Sequence, residues 1–198
     1  MTGVEIANLA LDQLGEENIT ALTDEPHRAK VCNRLIDTAV WHVLSLQDWQ
    51  CAVARATLAA AAGSVDTDLY EFTYHYDLPA DYVRFIGFIV SGDRDYYHSH
   101  DSVNVPHIIE ANILYCDLST ARIRYVQDVS DDVTQLSEML AYAVAMYLAT
   151  LVSVPLAKTP ELQQQAQGQF AWALQLAERE NARFRRGQIQ PKPGLARR

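Results

Sequence analysis

The spacing of apolar residues changes twice along this 198-residue chain, from helical to strand-like near Trp49 and back to helical near Ser130. A helical period does not sit still as a strand, so this switch divides the chain before any other feature is weighed. Ile6, Leu9, Ala10 and Leu14 form a first stripe. Thr2 and Glu5 are set to make a capping box, each satisfying the other's backbone N–H, and Gly15 can take the left-handed conformation that stops a helix. The spacing predicts a helix over 2–14. A second, over 25–46, opens near Asp24 with Pro26 in its first turn, where a missing N–H is harmless. Its face is Cys32, Leu35, Ile36, Ala39, Val40, Val43 and Leu44.

Between Trp49 and Val126, short runs rich in Tyr, Val, Ile and Thr alternate with turn clusters such as Ala62-Gly63-Ser64 and Ser91-Gly92-Asp93. Five strands are expected, near 50–58, 71–76, 83–90, 108–115 and 121–126, with an irregular polar loop at 92–107. Helical spacing then returns. Ser130-Asp131-Asp132 reads as a cap with two carboxylates at the positive helix end, predicting a third helix over 131–153. Leu136, Leu140, Ala143, Val144, Tyr147, Leu148, Leu151 and Val152 make it apolar on most sides, which marks a central helix. Its most apolar part, Leu140 to Pro155, is broken by Tyr142, Tyr147, Thr150 and Ser153 and falls short of the about 20 apolar residues of a membrane span. Thr159-Pro160 opens a fourth helix over 160–185, and the polar, proline-containing residues 187–198 have no apolar pattern and are expected to be flexible. The expected fold is mainly α: one domain, 1–186, holding a four-helix bundle with a small antiparallel β region inserted at one end.

Charge divides the chain as well. The net charge is −9, yet residues 181–198 carry six of the 16 basic residues and no acid. The first 180 residues are left with ten basic against 25 acidic side chains, a net of −15. Body and tail are therefore expected to face different partners. Cys32, Cys51 and Cys116 are odd in number and lack any CxxC pair, the pattern of reduced core thiols in a cytosolic setting. The N-terminal residues show no basic-then-apolar signal, so secretion is not expected.

Chemistry-bearing motifs are sparse. No GxxxxGK[ST], GxGxxG, GxSxG or HExxH pattern occurs. His98, His100 and Asp101, with Asp93, Asp95 and His107 nearby, form the best metal candidate, but nothing in the pattern fixes their geometry, and an exposed polar loop is the plainer reading. His42, Asp48 and Cys51 could suggest a nucleophile constellation, yet His42 and Asp48 fall on different helix faces. Tyr70, Tyr74, Tyr76 and Tyr82 resemble a stacking platform for single-stranded nucleic acid. Only Arg84 supplies a nearby cation, so packing at strand edges or between subunits is the better reading. No catalytic residue, metal or cofactor is expected.

Five segments in order nevertheless form a recognisable pattern: Ala7-Asn8-Leu9-Ala10-Leu11-Asp12-Gln13-Leu14-Gly15; Ile19-Thr20-Ala21-Leu22 followed by Ala29 and Cys32-Asn33-Arg34; Trp49-Gln50-Cys51-Ala52 leading into Arg55-Ala56-Thr57-Leu58-Ala59; Tyr74-His75-Tyr76-Asp77-Leu78-Pro79-Ala80-Asp81-Tyr82; and Ile123-Arg124-Tyr125-Val126 with Val129-Ser130-Asp131. Over roughly 6–188 the chain resembles the head–tail adaptor family of tailed bacteriophages, called tail tubular protein A in short-tailed phages. Cys51 stands where that family commonly has an aromatic, and 92–107 matches no family pattern. The resemblance implies a structural virion protein of the neck, present in the host cytoplasm during assembly and not an enzyme. It implies a homo-oligomeric ring, usually of twelve copies, on the phage portal protein. Such a ring extends the DNA channel without sequence-specific binding and offers a platform to a tail nozzle or tail-completion protein. It further implies portal docking by Arg183, Arg185, Arg186, Lys192, Arg197 and Arg198. An acidic lumen would keep the DNA backbone from adhering. The alternatives are a stopper or tail-terminator component, a small metal-dependent hydrolase or nuclease using His98, His100 and Asp101, and a DNA-binding module built on the tail.

Overall fold

A computed structural model describes residues 1–63, 71–89, 105–156 and 158–186. Helix α1 (Gly3–Gln13) starts and stops as the sequence dictates. Thr2 Oγ1 accepts the Glu5 N–H at 3.3 Å, while Glu5 accepts the Thr2 N–H at 2.7 Å. At the other end Gly15 sits at φ 67°, its N–H reaching the Asp12 carbonyl while that of Glu16 reaches Leu11. This pairing closes the last turn with the left-handed residue only glycine adopts without cost. Helix α2 (His27–Leu46) follows, then a three-residue 3-10 turn (Gln50–Ala52) and strand β1 (Val53–Thr57).

The expected mainly-α bundle with a small β region is overturned. The described chain is about 50% helical and carries two three-stranded antiparallel sheets. One has the order β1-β6-β3, with β3 at Tyr82–Phe88 and β6 at Arg122–Gln127. The other has the order β2-β5-β4, from Tyr74–Asp77, Ile113–Cys116 and His107–Glu110. Nor do the helices form a four-membered bundle. Helices α1, α2 and α4 (Pro160–Arg186) each pack on α3 (Glu138–Ser153), and α2 also covers the first sheet. The reason is compositional. Leu140, Ala141, Ala143 to Met146, Leu148, Ala149 and Val152 bury α3 on nearly every side, so one helix serves as a common core for the other three.

The first sheet stands between two cores. Val83, Ile86 and Val126 join the helical core, while Phe88, Ile123 and Tyr125 join Tyr76, Leu114 and Cys116 of the second sheet in a core of its own. Alternation along a strand puts successive residues on opposite faces, which is how β6 serves both. Val53 pairs with Val126 and Arg55 with Arg124, and two register shifts bend β3 against β6.

Two of the departures from expectation have clear local reasons. The third helix begins at Glu138, not 131, capped by Ser137, which accepts the Leu140 N–H. Residues 130–135 form a 3-10 turn because aspartates capture neighbouring groups: Asp128 takes the Ser130 N–H at 2.9 Å, and Asp132 takes the Thr134 hydroxyl and leaves the helical region. The strand expected over 108–115 is instead the hairpin β4–β5, turning at Ala111 (φ 48°) and Asn112 (φ 66°). Two positive φ values make this a two-residue primed turn, whose usual signal is Asn-Gly, and an alanine hides it. Relieving that alanine gives a measurable gain: Ala111→Gly is expected to raise stability by about 0.5–1 kcal/mol, the left-handed penalty less glycine's entropy. The check is a higher urea midpoint at unchanged slope, and a lower midpoint would contradict the turn.

Candidate functional site

Several described side chains that could do chemistry are occupied structurally. The indole of Trp49 is 1% exposed and donates to the Val43 carbonyl at 2.8 Å. Arg84 of β3 donates to the carbonyls of Ser45 (3.2 Å) and Leu46 (3.1 Å) and pairs with Asp48 at 3.1 Å. Helix α2 ends without a glycine cap, and these two residues satisfy carbonyls its last turn leaves over. Arg84 is thereby committed to a helix end rather than held free for a phosphate. Of those tyrosines, Tyr76 is buried with its hydroxyl on the Leu118 carbonyl at 2.5 Å, Tyr82 stacks on Tyr125, and Tyr74 alone among the described ones is exposed. Tyr70 lies outside the described residues. Tyr125 donates to Asp81 at 3.0 Å, and burial, reinforced by that carboxylate, pushes its hydroxyl up to about 12.

The nucleophile constellation does not assemble. His42 stacks on Tyr147 of α3 with centroids 4.2 Å apart, and Tyr147 in turn meets Phe170 of α4. Burial holds the Cys51 thiol above its ordinary value, the wrong direction for a nucleophile. Cys32 and Cys116 are buried core residues, and burial pushes Cys32 up to about 11. His107, the described member of the metal candidate, points into the second core: its Nδ1 lies 2.9 Å from the Val105 carbonyl and its ring packs on Phe85 and Phe88. Asp93, Asp95, His98, His100 and Asp101 lie outside the described residues, as does most of loop 92–107. Among the described residues no group of three His, Cys, Asp or Glu could hold a metal. Likewise no described helix is long and apolar enough to cross a membrane.

What does stand out is the far end of α4. Its packing stripe runs through Ala166, Phe170, Ala173, Ala177 and Asn181. The Ser137 hydroxyl, capping α3, donates to Glu180 at 2.5 Å, so the six residues after Glu180 run about 9 Å past the start of α3. There the helix leaves its main support. Asn181, 8% exposed, hooks the overhang onto the α2–β1 junction: its Oδ1 accepts the Gln50 N–H and its Nδ2 donates to the Asp48 carbonyl, both at 2.9 Å. Gln47 donates to Glu178 at 2.8 Å beside it. One step further along the same stripe comes Phe184, 56% exposed.

The chain matches no family model and no curated protein.

Of the six basic residues expected to bind a portal, Arg183 is an exposed neighbour of Phe184, and Arg185 and Arg186 close the last turn of α4. Lys192, Arg197 and Arg198 lie outside the described residues. Sequence reasoning found the basic cluster but missed Asn181 and Phe184. Spacing alone places both on the stripe, and it cannot say where the opposing surface stops. The acidic excess of the body is also tangible. Burial, then the charges of Asp128 and Asp131, holds the Asp37 carboxyl above its ordinary value.

Proposed function

We propose that this chain is a structural head–tail adaptor of a tailed bacteriophage. Copies form a ring below the portal, extend the DNA channel, and offer a platform to the tail nozzle or tail-completion protein. The order of motifs from Ala7 to Asp131 prompts this reading, and one structural observation supports it most: α4 carries its packing stripe past the start of α3 to an exposed phenylalanine beside the exposed Arg183. An aromatic anchor with arginine beside it, on a rigid helix end, is what a protein-docking surface needs. The acidic body suits a channel wall, since like charge keeps a passing phosphate backbone from adhering.

The test is to mix the purified chain with the portal ring of its own phage and image the product. A ring of added density under the portal is expected, from a chain that light scattering finds monomeric or weakly associated beforehand. No binding to the portal would overturn the adaptor reading. Duplex binding that falls steeply with salt would favour a DNA-binding module, and stoichiometric metal by elemental analysis would favour the hydrolase.

A further inference from the structure

A shallow, open groove of about 440 Å³ lies against α1, lined by Met1, Glu5, Asn8, Leu9 and Asp12, with Glu138 of α3 at its edge. Its apolar surface comes from Met1 and Leu9, and its rim carries three carboxylates. The Met1 amino group lies 3.7 Å from Glu138, and the Asn8 amide is taken by the backbone of Ile19. Beyond Glu138 lie further apolar side chains. Met139 is 39% exposed, and Tyr142, one turn on from Glu138, meets Trp172 of α4 edge to face. Trp172 is itself 53% exposed. The acid-edged groove on α1 is thus followed, within one turn of Glu138, by Met139 and by the Tyr142–Trp172 pair that reaches α4.

We infer that the groove and the residues that follow it are the docking surface for residues 187–198 of the same molecule. Charge supports this occupant: the segment has Lys192, Arg197 and Arg198 and no acid, against Glu5, Asp12 and Glu138. Its apolar content matches that surface, with Ile189 and Leu195 set among polar residues. Reach supports it as well. Glu180 touches Ser137, next in sequence to Glu138, and α4 ends six residues later, about 9 Å away. Twelve extended residues span up to about 40 Å, enough to return that distance and follow the groove. Two prolines suit a segment lying extended in a groove rather than continuing α4.

The experiment is carbodiimide cross-linking of the full chain, in which a lysine amine and a carboxylate lose water to form an amide, mapped by mass spectrometry. The ion pair of Lys158 with Glu16, 2.6 Å apart, provides an internal control. Lys192 is expected to join Glu5, Asp12 or Glu138, and in an equal mixture of light and heavy-isotope chains each such link joins peptides of one isotope. Ile189→Asp with Leu195→Asp is expected to lower that yield at least about fivefold while the control link persists. Three results would overturn the inference: a control link formed without any Lys192 link to those carboxylates, links of mixed isotope, which would place the segment on a second copy, or a yield indifferent to the double substitution.

Discussion

Trp49→Ala is expected to destabilise the protein by about 4–5 kcal/mol. Emptying a fully buried indole site costs about 3–5 kcal/mol, and a carbonyl left unpaired in the interior adds about 1 kcal/mol or more. Trp49 meets both conditions, being 1% exposed and donating to Val43 across the end of α2. Domains of this size have about 5–15 kcal/mol of stability in total, so the variant should sit near the edge of folding. Trp49→Phe separates the two contributions. It keeps most of the packing and forfeits only the bond to Val43, so a loss of about 2 kcal/mol is expected. Urea unfolding followed by far-ultraviolet circular dichroism measures both. A loss below about 2 kcal/mol for the alanine variant would show that the indole does not tie α2 to the strand that follows.

The second large effect concerns binding rather than folding. Arg183→Glu combined with Phe184→Ser is expected to weaken portal binding at least about a hundredfold, equivalent to about 2.7 kcal/mol, which is hot-spot magnitude for an aromatic and its charged neighbour. The same variant should keep its unfolding midpoint, because both side chains are exposed and surface changes stay within about 0.5 kcal/mol. Asn181→Ala shifts the two quantities the other way. It leaves the Gln50 N–H and the Asp48 carbonyl without their partner and should cost about 2 kcal/mol of stability, with binding following only as the helix end loosens. Unchanged affinity in the Arg183/Phe184 variant would remove the end of α4 from the docking surface, and a collapsed midpoint would make Phe184 a folding residue.

Much of the local structure was readable beforehand. The limits of α1 follow from Thr2, Glu5 and Gly15, which hydrogen-bond within a few residues of themselves. The sequence sets the start of the third helix seven residues early because Ser130-Asp131-Asp132 resembles a cap, whereas Asp128 and Asp132 use those groups to build a tighter turn. The hairpin at Ala111 and Asn112 was hidden for the opposite reason. Pairing across β4 and β5 holds an alanine in a conformation its sequence does not announce.

The sequence by itself determined where the four α-helices fall, apart from the start of α3, that α3 lies at the centre, and that cations collect at the end of α4, because periodicity, capping and charge are local properties. Only the tertiary structure decided that the β segments divide into two sheets with a core between them, that α3 is shared by three helices rather than one member of a bundle, and that α4 outruns its support. Those outcomes depend on how much apolar surface each element finds opposite it. Phe184 continues the stripe of Ala173, Ala177 and Asn181, and it is exposed because the surface they pack on stops short of it.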